Sequence, residues 1–146
     1  MEWTINRLEK GNIISMKTFG PADWDQNKKM CEEAFSLAQK HGSHRFLVDH
    51  RKLEHGLSIL QVDDIPGMLK EIGVTSEDKV AIVFDPASPL SNTFKFFGDA
   101  AFIASLQLRI FSDKAEAIEW LKTENEDKKH AKNNNIKSAD IFHLKQ

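Results

Sequence analysis

The chain has 146 residues, of which 40% are hydrophobic and 29% charged, which is the size and composition of one globular domain. Its formal net charge of -2 argues against a nucleic-acid binder, because phosphate-rich partners require clustered basic residues. A single cysteine, no secretory signal after Met1 and no apolar run near the roughly 20 residues that span a bilayer together predict a cytoplasmic protein without integral membrane contact.

The first 42 residues have the pattern of a β-hairpin followed by a helix. Apolar and polar residues alternate over residues 3–8, residues 10–12 supply a turn, and residues 13–19 resume an extended pattern. Gly20-Pro21 is predicted to end the second strand, since proline cannot donate to a ladder. A helix is predicted over residues 22–42. Its buried stripe has helical spacing and comprises Cys31, Ala34, Phe35 and Ala38.

The middle of the chain alternates between strand and helix patterns. "RFLVDH" (45–50) has strand length, and the continuous apolar run in "KVAIVFD" (79–85) is typical of a strand covered on both faces. Pro66 argues against one continuous helix between them. We therefore predict a loop as far as Asp63 and a helix over residues 64–72, with residue 64 as its N-cap.

The remaining elements complete an α/β order. Residues 90–106 are helical by composition, and "LRIF" (108–111) reads as the last strand. Asp113 and Glu116 form a D-x-x-E capping signal before a helix that carries Trp120 at the edge of the core. This order predicts one α/β domain with a mixed sheet of about five strands, an N-terminal hairpin followed by parallel strands, and about four helices.

The end of the chain differs from the rest in composition. Residues 124–146 are charged and rich in asparagine, which is typical of an extension without a core of its own. We expect Ile141, Phe142 and Leu144, which lie close together near its end, to be the residues that could anchor it. We therefore divide the chain into a domain over residues 1–123 and a polar C-terminal extension over residues 124–146.

No motif for catalysis or for cofactor binding is present. The sequence contains no P-loop motif (G-x-x-x-x-G-K-[ST]), no Rossmann dinucleotide motif (G-x-G-x-x-G) and no G-x-S-x-G nucleophile motif. We therefore predict no cofactor. Four histidines within residues 41–55 fall on a helix end, a strand and a loop, a spacing that does not indicate a metal site. We therefore expect a protein without enzymatic activity.

One polar group and one apolar segment remain as candidate sites. Asp49, His50 and Asp85 follow predicted parallel strands, where ligands of open α/β sheets bind. They could perform acid–base chemistry, or they could cap helices and pair with each other at the sheet edge. The helix over residues 90–106 is apolar nearly all round, which indicates ordinary burial, a pocket for a lipid-like ligand or a dimer interface.

Several stretches resemble one family. "FLVDHRKL", "VAIVFDP", "FFGDAAFIASL" and above all "LRIFSDKAEAIEWL" are similar to the SpoIIAA-like group of small bacterial STAS/SEC14-type domains, over residues 1–123. The resemblance implies a compact β/α superhelix without catalytic activity, which serves either as a protein-interaction module or as a carrier of apolar ligands. The phosphorylatable D-S-S-G-L-G motif of the sporulation protein is absent, and the nearest serine is Ser58 in "EHGLSIL".

The resulting functional hypothesis is a small apolar or lipid-like molecule bound between the helices over residues 64–72 and 90–106, with Pro66-Gly67 as a hinge. The candidate ligand-binding residues are Leu57, Ile65, Met68, Leu69, Phe94, Phe97 and Phe102. The alternative is a STAS-type regulatory domain, similar to anti-sigma-factor antagonists, that binds a protein partner and has Ser58 as its candidate phosphorylation site. A homodimer is a further hypothesis.

Overall fold

The structure, a computed structural model, describes residues 1–55, 58–88 and 105–123. The elements in these residues are β1 (Glu2–Leu8), β2 (Ile13–Pro21), α1 (Trp24–His41), β3 (Arg45–His55), α2 (Ile59–Ile72), β4 (Lys79–Val83), β5 (Gln107–Phe111) and α3 (Lys114–Lys122). They form one five-stranded sheet in the order β1-β2-β3-β4-β5. β1 pairs antiparallel with β2, and all other neighbours pair parallel. The predicted α/β class and mixed sheet are confirmed.

Helices cover both faces of the sheet, which explains why all five residues of β4 are buried. Successive strand residues point to opposite faces, so β4 contributes Val80 and Ile82 to one core and Ala81 and Val83 to the other. The first core, on the side of α1 and α2, is the larger. The core on the side of α3 consists of Ile13, Leu47, Ala81, Val83, Ala117 and Leu121.

Helix α1 begins and ends close to the predicted positions. The Asp23 carboxylate accepts a hydrogen bond from the backbone N–H of Gln26 at 2.9 Å and caps the first turn. Gly42 ends the helix in the left-handed conformation with φ of 62°. The buried stripe is rotated slightly from the predicted one, because Cys31 and Phe35 are only partly buried. The fully buried residues are Asn27, Met30, Ala34 and Ala38.

The predicted start of α2 was wrong. The helix begins at Ile59, not at residue 64, and continues through Pro66. Its N-cap is Ser58, which forms a reciprocal capping box with Gln61. An interior proline costs about 3 kcal/mol because it removes a helical hydrogen bond. Here the capping box and the burial of Val62, one turn before the proline, offset that cost.

The other strands agree with the predicted order, although their ends differ. β3 extends to His55, and β2 includes Gly20 and Pro21. Asp113 caps α3 as predicted, with its carboxylate accepting from two backbone N–H groups. The predicted helix over residues 90–106 lies outside the described residues except for Ser105, which is part of a turn, and the buried Leu106. The C-terminal extension lies outside them as well.

Candidate functional site

A β-bulge shapes the polar region at the carboxyl-terminal half of the sheet. Lys17 pairs with Asp49 and Phe19 pairs with Lys52, so β3 uses one residue more than β2 over this interval. A bulge of this kind re-aims side chains and often lies next to functional sites. In this sheet it lies beside two of the three predicted polar residues, Asp49 and His50.

Asp49 is a buried carboxylate held by an arginine two residues away. Its Oδ1 accepts hydrogen bonds from the backbone N–H and the Nε of Arg51 at 3.1 and 2.9 Å, and its Oδ2 accepts from Nη2 at 2.7 Å. Asp49 is 2% exposed, whereas the side chain of Arg51 is 42% exposed. Burial alone would raise the pKa of Asp49, but the hydrogen bonds and charge of Arg51, aided by Lys114, bring it below its ordinary value.

His50 points to the opposite face of the sheet. Its Nδ1 lies 2.7 Å from the hydroxyl oxygen of Thr18, which is itself 3.3 Å from the carbonyl oxygen of Asp49. Both hydrogen bonds form when Nδ1 donates to the hydroxyl and the hydroxyl donates to the carbonyl. Burial lowers the pKa of His50 to about 4, although the charge of Asp49 acts in the other direction. The imidazole is therefore neutral at pH 7.

Asp85, the third predicted polar residue, lies in the turn that follows β4. Its carboxylate accepts from the backbone N–H of Ala87 at 2.9 Å, and its carbonyl oxygen accepts from the backbone N–H of Ser88 at 2.9 Å. Asp49, His50 and Asp85 thus have different partners: an arginine, a threonine and a turn. These hydrogen bonds support stability at the carboxyl-terminal edge of the sheet, and none of them joins two of the three residues.

The sequence interpretation missed Thr18, and it noted Arg51 only as part of the run Asp49-His50-Arg51, without predicting that it pairs with Asp49. Arg51 could have been recognised, because it follows Asp49 by two residues in a strand, where such neighbours share a face. Thr18 could not, since its contact with His50 spans 32 residues and depends on the bulge.

The apolar candidate residues that the structure describes lie on the inner side of α2. Ile65, Met68 and Leu69 are buried in the larger core, together with residues of α1 and the sheet. Leu106, at the end of the segment that carries the phenylalanines, is buried in the same core, and Phe84 packs against it. Four further candidates lie outside the described residues, namely Leu57, Phe94, Phe97 and Phe102.

Ser58 is exposed at the N-terminus of α2. Its hydroxyl accepts from the backbone N–H of Gln61 at 3.2 Å, while the Gln61 side chain accepts from the backbone N–H of Ser58 at 3.1 Å. This position meets the requirement that a modifiable serine lie at a helix start and be accessible.

Metal sites and membrane-spanning helices each require a particular geometry. Among the residues described, no three His, Cys, Asp or Glu side chains converge as metal ligands would. Burial raises the pKa of the Cys31 thiol to about 12, so the thiol is protonated at pH 7 and is a poor nucleophile. None of the described helices combines the length and the apolar character that crossing a bilayer requires.

Comparisons with known proteins agree on one family. The sequence model of the SpoIIAA-like family matches residues 13–122. Among solved structures, the chain is similar to an uncharacterized protein with a SpoIIAA-like fold from Shewanella loihica PV-4, determined at 2.25 Å resolution. The two share 20% identity and a TM-score of 0.51, over 82% of this chain and 92% of the other. No protein with a curated description matches in sequence. At this level of identity, the solved structure shows a shared fold.

Proposed function

Because this chain belongs to the SpoIIAA-like family, a fold that serves regulatory and binding domains, we propose that it is a non-catalytic binding module for a small apolar or lipid-like molecule held beside α2. The observation that carries this proposal is the position of Phe84 and Leu106. These residues flank the phenylalanine-rich segment, and both pack on the core that α2 covers. The described residues on either side of the segment therefore lie on the side of the sheet where α2 presents its apolar residues.

The sequence of α2 supports the proposal that this helix forms one side of the ligand pocket and can be displaced. Pro66 has no N–H, so the carbonyl of Val62 lacks its usual helical donor and the helix is weakened at this turn. Met68 follows directly on the inner side, and methionine adapts its shape to irregular ligands. A displacement of the second half of α2 would open space beside Met68 and Leu69. Apolar contacts of this kind give affinity with little selectivity among ligands of similar size.

Lipid extraction tests this proposal directly. We expect protein purified without detergent to carry a small apolar molecule that mass spectrometry of an organic extract detects. Phe97→Ala should lower the binding of a fluorescent fatty-acid probe. Phe35→Ala is the matched control, because Phe35 stacks on Phe46 with ring centres 6.5 Å apart and is not among the candidate ligand-binding residues. If nothing co-purifies, and if both variants lose stability without any change in probe binding, these phenylalanines are core residues only.

The absence of catalysis is part of the proposal. The placement of Asp49 and His50 on opposite faces of the sheet supports it, since the two groups then do not face one reacting atom. A screen against hydrolase substrates should give no turnover. Turnover that disappears in Asp49→Asn or His50→Ala would contradict the proposal.

A second candidate function is a protein-interaction domain controlled at Ser58. The exposed position of this serine at a helix N-terminus favours it, because a phosphate there is stabilised by the helix dipole and by free N–H groups. Pull-down from cell extract should then give different partners for Ser58→Asp and Ser58→Ala. Ser36→Asp, on the exposed side of α1, is the control. An unchanged set of partners would rule out this candidate. Both candidates assume the cytoplasmic setting predicted from the sequence.

A further inference from the structure

Strand β1 forms one edge of the sheet, and although it carries the charges of Glu2 and Arg7, it is neither shortened nor bulged. All seven of its residues pair one-to-one with β2, from Glu2 with Phe19 to Leu8 with Ile13, without a bulge. It contains neither proline nor lysine. Exposed edges are commonly shortened, bulged or charged to prevent pairing with another chain. In the part of the chain that the structure describes, no strand pairs with the outer side of β1.

Three side chains of β1 lie on the face that α1 covers. Trp3 and Ile5 pack against the larger core. Arg7 is on the same face, because its Nε donates to the side-chain oxygen of Asn12 at 2.8 Å, and the amide of Asn12 donates to the carbonyl oxygen of His41 at the end of α1.

Glu33 and Arg7 carry opposite charges on this face, and neither has an ion-pair partner among the described residues. The Trp3 indole N–H donates to the Glu33 carboxylate over 3.4 Å, which places Glu33 of α1 beside one end of β1. Arg7 lies near the other end. Within residues 1–55, 58–88 and 105–123, neither Glu33 nor Arg7 forms an ion pair.

We propose that β1 pairs antiparallel with β1 of a second copy of this chain, about a twofold axis at Ile5. Antiparallel pairing about this residue sets Trp3 opposite Arg7 of the second copy, and Thr4 opposite Asn6. It keeps α1 of both copies on the same face of one continuous sheet. The contact is self-complementary, as a twofold interface requires.

The charges that each copy leaves without a partner meet across this interface. Paired strands lie about 4.8 Å apart, a distance that an arginine side chain spans. Arg7 of one copy can therefore lie against the Trp3 ring of the other and reach the Glu33 carboxylate that Trp3 holds. The twofold axis repeats this contact, so the interface gains two ion pairs along with the backbone hydrogen bonds of the strands. The proposal is independent of any ligand beside α2.

Charge reversal in the full-length chain, followed by analytical ultracentrifugation, tests the pairing. We expect the unmodified protein to form dimers, and Arg7→Glu and Glu33→Arg to weaken association by about tenfold or more, because each sets like charges opposite one another. The double variant Arg7→Glu with Glu33→Arg should recover association, since it restores opposite charges. Glu32→Arg, at the neighbouring exposed position of α1, should associate as the unmodified protein does.

Circular dichroism confirms that each variant is folded before association is measured. A protein that stays monomeric over the accessible concentration range would overturn the proposal. A dimer that neither single reversal weakens would overturn it too, because that dimer would use another surface. A double variant that associates no better than the single ones would show that Arg7 and Glu33 do not meet.

Discussion

The ammonium of Lys79 lies 4.9 Å from the centre of the Trp120 ring and donates a hydrogen bond to the Trp120 carbonyl oxygen at 3.2 Å. The same nitrogen donates to the carbonyl oxygen and the hydroxyl of Thr123 at 3.2 and 2.6 Å. Lys79 is buried at the first residue of β4. It therefore holds the last turn of α3, where a positive charge is favourable.

Replacing this lysine should loosen α3 from the sheet. We expect Lys79→Met to lower the free energy of unfolding by about 1–3 kcal/mol, because charge-assisted hydrogen bonds are lost while the side chain remains apolar and similar in length. Urea denaturation measures the change. Lys122→Met is the control, since its ammonium makes only a 3.9 Å contact with Glu119. Equal losses in the two variants would show that the contact with α3 contributes nothing specific.

The buried histidine should make stability depend on pH. The pKa of His50 is about 4 in the folded chain and near 6.5 when unfolded, so between these values the unfolded state binds the extra proton. Stability is fully present above pH 6.5 and falls as pH decreases toward 4, by roughly 3 kcal/mol in total. His50→Gln should remove most of this slope, whereas His41→Gln, on an exposed residue, should keep it. Denaturation curves between pH 4 and 7 with the same slope in His50→Gln would contradict the assignment.

Replacing Arg51 should lower the free energy of unfolding more than replacing its partner Asp49. Arg51→Gln leaves a buried carboxylate without its charge partner and should cost about 2–3 kcal/mol at pH 7. Asp49→Asn removes the buried charge itself and should cost less. Since the pKa of Asp49 is lowered in the fold, its stabilising effect is present at neutral pH and is lost as pH falls below about 4. Chemical denaturation of both variants at pH 7 should give this order, and the reverse order would refute the explanation.

Two glycines should respond to alanine with opposite signs. Gly73 has φ of 126°, and a Cβ there would meet the Phe35 ring at 2.8 Å, so Gly73→Ala should cost about 1–3 kcal/mol. Gly67 lies inside α2 with no atom within 4 Å of an added Cβ. Gly67→Ala should therefore stabilise the protein by about 0.5–1 kcal/mol, because it restricts the unfolded chain. Thermal melting distinguishes the two, and a stabilising Gly73→Ala would be inconsistent with this backbone conformation.

Local signals in the sequence were sufficient for most of the elements. Gly42 and Asp113 bound helices where they were predicted to, because caps act within a few residues of the chain. The continuous apolar run of β4 is also a local signal, and it predicted a strand buried on both faces. The family was also recognisable from residues close in sequence, chiefly those of β5 and α3.

Contacts between distant residues decided the rest. Pro66 predicted a late start for α2, yet the burial of Val62 and the Ser58 capping box outweighed that local signal. Asp49 and His50 are adjacent in the chain, but the pleat turns them to opposite faces and the bulge gives them separate partners. Lys79 binds the end of α3, which lies more than 40 residues further along the chain. The fold allows this contact because parallel strands bring the start of β4 beside the helix that covers it.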